Sequence, residues 1–251
     1  MVAPIGTMLI TGGSRGIGAA TAVLAARRGY DVCFSYHRRV DDAEQVVEAI
    51  EAIGRRTLAV AADVASEAEV VTLWRRAIES FGTIDALINN AGVLDRQQRL
   101  DAITTDRLER LFGVNVFGSI LCAREAVRHM STRHGGAGGV IVNVSSVAAR
   151  SGSPGEYVDY AASKGAIDTM TVGLAREVAA ESIRVNGVRP GFVETEIHAS
   201  GGEPDRVTRL SPRVPMQRGG RPEEIAEAIL WLVSERSSYA TGAILDVAGG
   251  L

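Results

Sequence analysis

The chain has little cysteine and little excess charge. Cys33 and Cys122 are its only cysteines, with no CxxC pair and no cluster of histidine with cysteine. That leaves no disulfide framework and no metal site of familiar spacing. Both thiols lie in apolar stretches, where buried free cysteine is the expectation. A net charge of −3 gives no strongly basic face of the kind nucleic acid requires. No apolar run is long enough to cross a bilayer. Met1-Val2-Ala3-Pro4 leads almost at once into a strand, with no basic region and long apolar stretch before it. Neither a signal peptide nor a membrane partner is expected, and the default location is the cytoplasm. Repeats, low-complexity linkers and a second domain are absent as well. What is present is ordinary for a soluble globular protein: 251 residues, 46% hydrophobic and 23% charged, enough for one α/β domain with a full core.

Strand and helix patterns alternate almost without interruption. Short apolar runs at 8–10, 31–36, 57–62, 84–88, 140–144, 183–188 and 243–247 read as strands. Helical spacing recurs over 19–28, 41–53, 67–81, 104–134 with a break around Gly113, 158–180 and 222–232. This order predicts a single Rossmann-like domain over 1–251, a doubly wound parallel sheet of about seven strands with helices on both faces. Residues 194–221 are rich in Gly, Pro, Ser and Arg with little periodicity, and a structureless stretch this long in a compact domain is usually a lid or substrate loop.

The first strand runs into Thr11-Gly12-Gly13-Ser14-Arg15-Gly16-Ile17-Gly18, followed by a helix. Glycines allow a tight turn and a close ligand, and the helix N-terminus offers free N–H groups and partial positive charge to a phosphate. The spacing is G-x-x-x-G-x-G rather than the usual G-x-G-x-x-G. An acidic residue about 20 positions on would hold the ribose 2′-OH of NAD. Here Tyr36-His37-Arg38-Arg39 occupies that place, and Arg38, with Arg15 from the glycine loop, suits a 2′-phosphate. NADP(H) is therefore expected in preference to NAD(H), unless Arg38 and Arg39 merely begin the next helix. Asp63, followed by Val64, ends the third strand and is either an acceptor for an adenine amino group or a turn residue. Asn89-Asn90-Ala91-Gly92 after the fourth strand suits a turn packed against a ligand or another loop.

Tyr160 and Lys164 stand four apart in a helical stretch and so share one face. A nearby ammonium favours phenolate and lowers the tyrosine pKa toward a useful range. Tyr157 has no lysine four residues on. Ser145 and Ser146 end the fifth strand and point to opposite sides if the strand persists. Asn115 is an amide in an apolar stretch, where a structural role is the default.

Thr11-Gly12-x-x-x-Gly16-x-Gly18, Asn89-Asn90-Ala91-Gly92, Asn115, Ser146, Tyr160-x-x-x-Lys164 and Pro190-Gly191 together resemble a classical short-chain dehydrogenase/reductase, in order and over essentially the whole chain. Within that family the chain is most similar to NADP-type members of glucose-dehydrogenase-like and 3-oxoacyl-carrier-protein-reductase-like kinds. The resemblance implies an oxidoreductase moving hydride between nicotinamide and a carbonyl or alcohol. Tyr160 would be the acid/base and Ser146 the oxyanion partner. Lys164 would tune Tyr160 and hold the ribose, and Asn115 would position a water between Lys164 and solvent. Cofactor contacts would come from Gly12, Ser14, Arg15, Gly16, Ile17, Gly18, Tyr36, Arg38, Asp63, Val64, Asn89, Ala91, Gly92, Pro190 and Gly191, with Val193 and Thr195 on the carboxamide and ring. The Ser146-to-Tyr160 spacing is slightly longer than in many members. Metal is not expected, and a homotetramer is implied. Two alternatives remain open. One is a 3-oxoacyl-thioester reductase, for which Arg206, Arg209, Arg213, Arg218 and Arg221 would form a basic patch if they are not simply solvated. The other is a catalytically silent NADP-binding protein.

Overall fold

The computed structural model describes residues 4–251, so the expectation drawn from Met1, Val2 and Ala3 lies outside the described residues. Seven strands form one parallel sheet: β1 (Thr7–Ile10), β2 (Asp31–Tyr36), β3 (Thr57–Ala61), β4 (Ala86–Asn89), β5 (Gly139–Val144), β6 (Ile183–Pro190) and β7 (Ile244–Val247), in the spatial order β3-β2-β1-β4-β5-β6-β7. The expected seven-stranded, doubly wound sheet is thus present. Each strand alternates its side chains between the two faces. Met8, Ile10, Val32 and Phe34 face a cluster with the helices α1 (Gly16–Arg27) and α2 (Val40–Ala52). Leu9, Cys33 and Leu87 face the opposite cluster with α3 (Glu67–Phe81). Full burial of one such aliphatic side chain contributes about 1.5–3 kcal/mol.

The order of the strands locates the site. The chain builds outward from β1 to β3, then crosses back to lay β4 on the other side of β1. Loops leaving the C-terminal ends of β1 and β4 diverge there, and this switch point is where open α/β sheets bind ligands.

The long helical stretch after β4 departs from expectation. α4 (Thr105–Phe112) and α5 (Ser119–Met130) are not separated by a break at Gly113. They are joined by one widened π-helical turn, Gly113–Gly118. Gly118 permits it: a Cβ there would stand 2.7 Å from the Val64 side chain and 2.9 Å from the Val64 carbonyl oxygen. A widened turn offsets the 3.6-residue apolar period, so the sequence shows an irregularity at Gly113 but not its form. The helix also ends at Met130, short of His134, with a tight turn following over Thr132–His134.

Beyond β5 come a single turn, α6 (Ala148–Ser151), and the 21-residue α7 (Val158–Val178), which carries Tyr160 and Lys164. A buried ion pair fixes the start of α7. Arg107 of α4 grips Asp159 through two bonds of 2.6 and 3.0 Å, and its remaining nitrogen donates to the Arg96 carbonyl at 2.6 Å. The stretch 194–221 is not structureless. It contains α8 (Ile197–Ser200) and α9 (Arg206–Leu210), each too short for periodicity to reveal, before α10 (Pro222–Val233). Among the described residues no helix is long and apolar enough to cross a membrane.

Candidate active site

The glycine turn after β1 is shaped by contacts that tolerate no side chain. Gly12 has φ +64°, and a Cβ on Gly18 would stand 2.2 Å from the Gly12 carbonyl oxygen. Gly18 is therefore a packing position behind the loop, not part of its exposed rim. The turn after β4 locks it from the other side. The Asn90 amide donates to the carbonyls of Thr11 and Gly12, both at 2.9 Å, while the Thr11 hydroxyl accepts the N–H groups of Asn90 and Ala91 at 3.0 Å. The turn thus packs against another loop, and its residues Asn90, Ala91 and Gly92 also line the cleft.

The adjacent amides divide their work. Asn89, still in the strand, is buried and donates to the Ser119 carbonyl at 3.1 Å and the Asn143 side chain at 2.9 Å. It does not reach the cleft, contrary to the sequence expectation, and Asn90 lines the cleft in its place. A strand alternates its faces, but the sequence does not mark which of two neighbours is the last to point inward.

A cleft of about 610 Å³ opens along the C-terminal edge of the sheet. Of the expected cofactor-contacting residues, Gly12, Ser14, Arg15, Gly16, Ile17, Tyr36, Arg38, Asp63, Val64, Ala91, Gly92, Pro190, Gly191, Val193 and Thr195 line it. One end is the start of α1, which has no side-chain cap and no acidic residue in its first turn. Its free N–H groups and positive dipole end are unopposed, as an anionic phosphate requires. Gly16, at φ +52°, lies where a Cβ would come within 3.1 Å of Thr195. At the end of β2 no carboxylate follows Tyr36. His37 stands 3.9 Å from Asp63, Arg39 pairs with Asp42 at 3.3 Å, and Arg38 is exposed without a partner among the described residues. Asp63 also accepts the Ala65 N–H at 3.0 Å, so it serves the turn as well as facing the cleft.

At the other end, β5 and α7 converge. Ser145 and Ser146 diverge as neighbouring strand residues should. The Ser145 hydroxyl donates to the Lys164 carbonyl at 3.2 Å and ties β5 to α7, while Ser146 faces the cleft and hydrogen-bonds the Tyr160 phenol. The Lys164 ammonium donates to the Val144 carbonyl at 2.8 Å and stands 5.7 Å from the Tyr160 ring centre. Asn115 is wholly buried. Its side chain accepts the Val93 N–H at 2.8 Å and donates to the Val93 carbonyl and the Ser163 hydroxyl, both at 3.1 Å. Ser163 in turn donates to the Tyr160 carbonyl at 2.7 Å. The Asn115 side chain therefore braces α7 and does not line the cleft. A Cβ on Gly92 would lie 3.5 Å from the Asn115 side-chain oxygen and 3.6 Å from the Lys164 nitrogen, in ordinary contact, so Gly92 sits directly beside both groups.

The electrostatics depart from the simple picture of a lysine lowering a tyrosine. Burial pushes the Tyr160 phenol up to about 12, with the Ser146 hydrogen bond pulling the other way. Burial also pushes Lys164 down to about 8, against the opposing charge of Asp168. Taking both groups out of water disfavours both charged forms, and in this state that effect outweighs their mutual attraction.

The sequence holds a signal that spacing alone does not use. Lys164 is the only lysine in the chain, against 26 arginines. A guanidinium cannot be discharged near neutral pH, whereas an ammonium shifts readily when buried. The single lysine stands beside Tyr160, where burial shifts it. Two further cleft residues, Glu156 and His198, carry no motif.

A family model described as enoyl-(acyl carrier protein) reductase matches residues 12–251. An Escherichia coli K12 protein described as uncharacterized oxidoreductase YgfF is 53% identical over 242 residues, covering 96% of this chain and 98% of that protein. Among solved structures, a short-chain dehydrogenase from Burkholderia cenocepacia in complex with NADP is 35% identical with a TM-score of 0.88, covering 97% of this chain and 96% of that one. The 3-ketoacyl-(acyl-carrier-protein) reductase of Brucella melitensis, complexed with NADH, is 33% identical with a TM-score of 0.90 and covers 98% of each chain.

Proposed function

The chain belongs to the short-chain dehydrogenase/reductase family, oxidoreductases acting on CH–OH groups, and from that premise we propose that it is an NADP(H)-dependent carbonyl reductase, reversible as an alcohol dehydrogenase, with Tyr160 as its acid/base. The observation that carries this reading is the placement of Ser146, Tyr160 and Lys164 at one end of the cleft whose other end is the uncapped start of α1. The residues present fit a nicotinamide dinucleotide. The α1 N-terminus and the turn Gly12–Gly16 would hold its phosphates, Arg38 with Arg15 a 2′-phosphate, Asp63 and Val64 the adenine, and Val193 and Thr195 the carboxamide end. When bound, that cofactor supplies or accepts the hydride.

The chain's own residues handle the oxygen. Ser146 and Tyr160 hydrogen-bond the carbonyl oxygen, and their bonds strengthen as negative charge grows there. Because the Tyr160 phenol is pushed up to about 12, it is fully protonated at neutral pH and is loaded as a general acid for the reductive direction. Its proton passes from Oη to the substrate oxygen as the alcohol forms. Lys164, beside the phenol, steadies the phenolate left behind and holds the ribose hydroxyls. Asn115 keeps α7 in register through Ser163.

Support for a small substrate over a carrier protein comes from the arginines of 194–221. Arg206 pairs with Glu156 and Glu203, Arg209 with Glu203, and both Arg218 and Arg221 with Glu224. Of these five, Arg213 has no carboxylate partner among the described residues, and a single unpaired arginine is a poor basic patch for an acidic partner. A homotetramer is also proposed, since Phe117 (59% exposed) and Ile120 (44%) on the α4–α5 helical run, and Leu245 on the edge strand β7, present apolar surface.

The test is oxidation of NADPH and of NADH by the purified protein with a broad carbonyl panel. Turnover that favours NADPH supports the reading. Preference for NADH would overturn the assignment of Arg38. Cofactor binding without turnover on any carbonyl would favour a binding protein.

A further inference from the structure

The substrate end of the cleft contains a charged group that the reaction itself does not use. Arg206 opens α9 and is 94% removed from solvent, yet it lies in the cleft wall. Its guanidinium lies over two aromatic rings, 4.9 Å from the centre of Tyr157 and 5.7 Å from that of Phe192. One terminal nitrogen donates to Glu203 at 2.8 Å and the other to Glu156 Oε2. With each terminal nitrogen engaged by a carboxylate, the charge of Arg206 is already matched by Glu203 and Glu156. What it presents to the cleft is its partner.

Glu156 comes from the turn before α7, its side chain is about one-third exposed, and it lines the same cleft as Ser146 and Tyr160. Oε2 is held by Arg206, and Oε1 has no partner among the described residues. A carboxylate oxygen fixed in place by a buried counter-ion is a directional acceptor that survives desolvation. His198, from α8, lines the cleft nearby and is neutral, since burial and then the Arg206 charge push it down to about 4. The polar groups at this end are thus a fixed anionic acceptor and an uncharged imidazole.

Resting on the carbonyl-reductase reading above, we propose that Glu156 Oε1 is a specificity-determining acceptor for a second hydroxyl on the substrate, so that the protein acts on neutral hydroxylated carbonyl compounds and rejects carboxylate- and phosphate-bearing ones. The hydroxyl donates to Oε1 while the carbonyl oxygen sits between Ser146 and Tyr160. A carboxylate or phosphate would face the Glu156 carboxylate, and like charge there disfavours binding.

The experiment compares matched substrates with NADPH. 4-Hydroxycyclohexanone is set against cyclohexanone, 4-hydroxy-2-butanone against 2-butanone, and levulinate against 2-pentanone, with wild type, Glu156→Gln and Glu156→Asp. A site built to hydrogen-bond a hydroxyl discriminates strongly against an analogue lacking it, so wild-type kcat/KM should favour a hydroxylated partner by about 10- to 100-fold in at least one pair and disfavour levulinate. In Glu156→Gln that ratio should collapse toward one, and Glu156→Asp should retain part of it. Because the readout is a ratio within one variant, loss of folded protein cannot imitate it. Turnover without hydroxyl preference, or a preference that survives in Glu156→Gln, would overturn the inference and leave the reductase reading intact. No turnover on any member would overturn the reductase reading and this inference with it.

Discussion

The single lysine makes the electrostatics of the site directly measurable. Lys164 is 4% exposed, its ammonium bonds one carbonyl, and burial pushes it from the ordinary 10.5 to about 8. That displacement corresponds to about 3 kcal/mol of lost preference for the charged form. Protein labelled with 13Cε- or 15Nζ-lysine has one side-chain resonance to follow. Its midpoint should fall near 8 in the cofactor-free protein. Asp168 supplies the charge that opposes the shift and is held 2.8 Å from Arg189, so Asp168→Asn should lower the midpoint further. The sign carries through to stability. A cation whose pKa is depressed on folding leaves the unfolded chain holding more protons between about 8 and 10.5. Stability should therefore rise with pH across that window on account of this residue, and the residue should add no slope below it. A midpoint at the ordinary lysine value would refute the claim that burial, and not attraction to the phenol, governs this pair.

Three more outcomes test other parts of the account. Arg38→Ala should weaken NADPH binding by about 10- to 100-fold, the value of a charge-assisted contact, while leaving NADH binding unchanged, as read by cofactor fluorescence. Asp159→Asn removes the partner of a buried guanidinium and should cost about 3–5 kcal/mol in chemical denaturation, with loss of order at the start of α7. Light scattering should give a tetramer, and Phe117→Glu should reduce the oligomer; a monomeric wild type would contradict the assembly.

The sheet was legible because its strands are short apolar runs separated by helices of clear 3.6-residue period, and because Gly12 and Gly16 stand where only a turn would put them. The pairing of Tyr160 with Lys164 was legible for the same reason, being a helical spacing. What stayed hidden depends on three-dimensional neighbours. Asn89 and Asn90 are chemically identical and adjacent, and only the end of β4 decides that the first points inward. Gly18 reads as part of a phosphate loop, but its role is set by how close the Gly12 carbonyl lies. The direction of the Tyr160 shift could not be read from spacing, since it depends on how much water the fold removes from both members of the pair. Arg206 reads as one of five loop arginines and becomes distinct only when its two carboxylates and two aromatic rings converge on it.

The central claim is that Tyr160 carries the proton for the reaction. Tyr160→Phe removes one oxygen atom and leaves the ring, Ser146 and Lys164 in place. With the best carbonyl substrate, NADPH-dependent kcat should fall by about 10²- to 10⁴-fold, the range a positioned acid supplies. NADPH binding by fluorescence should stay at the wild-type level. Turnover retained in Tyr160→Phe would contradict the account, because no other group in the cleft has been given that proton.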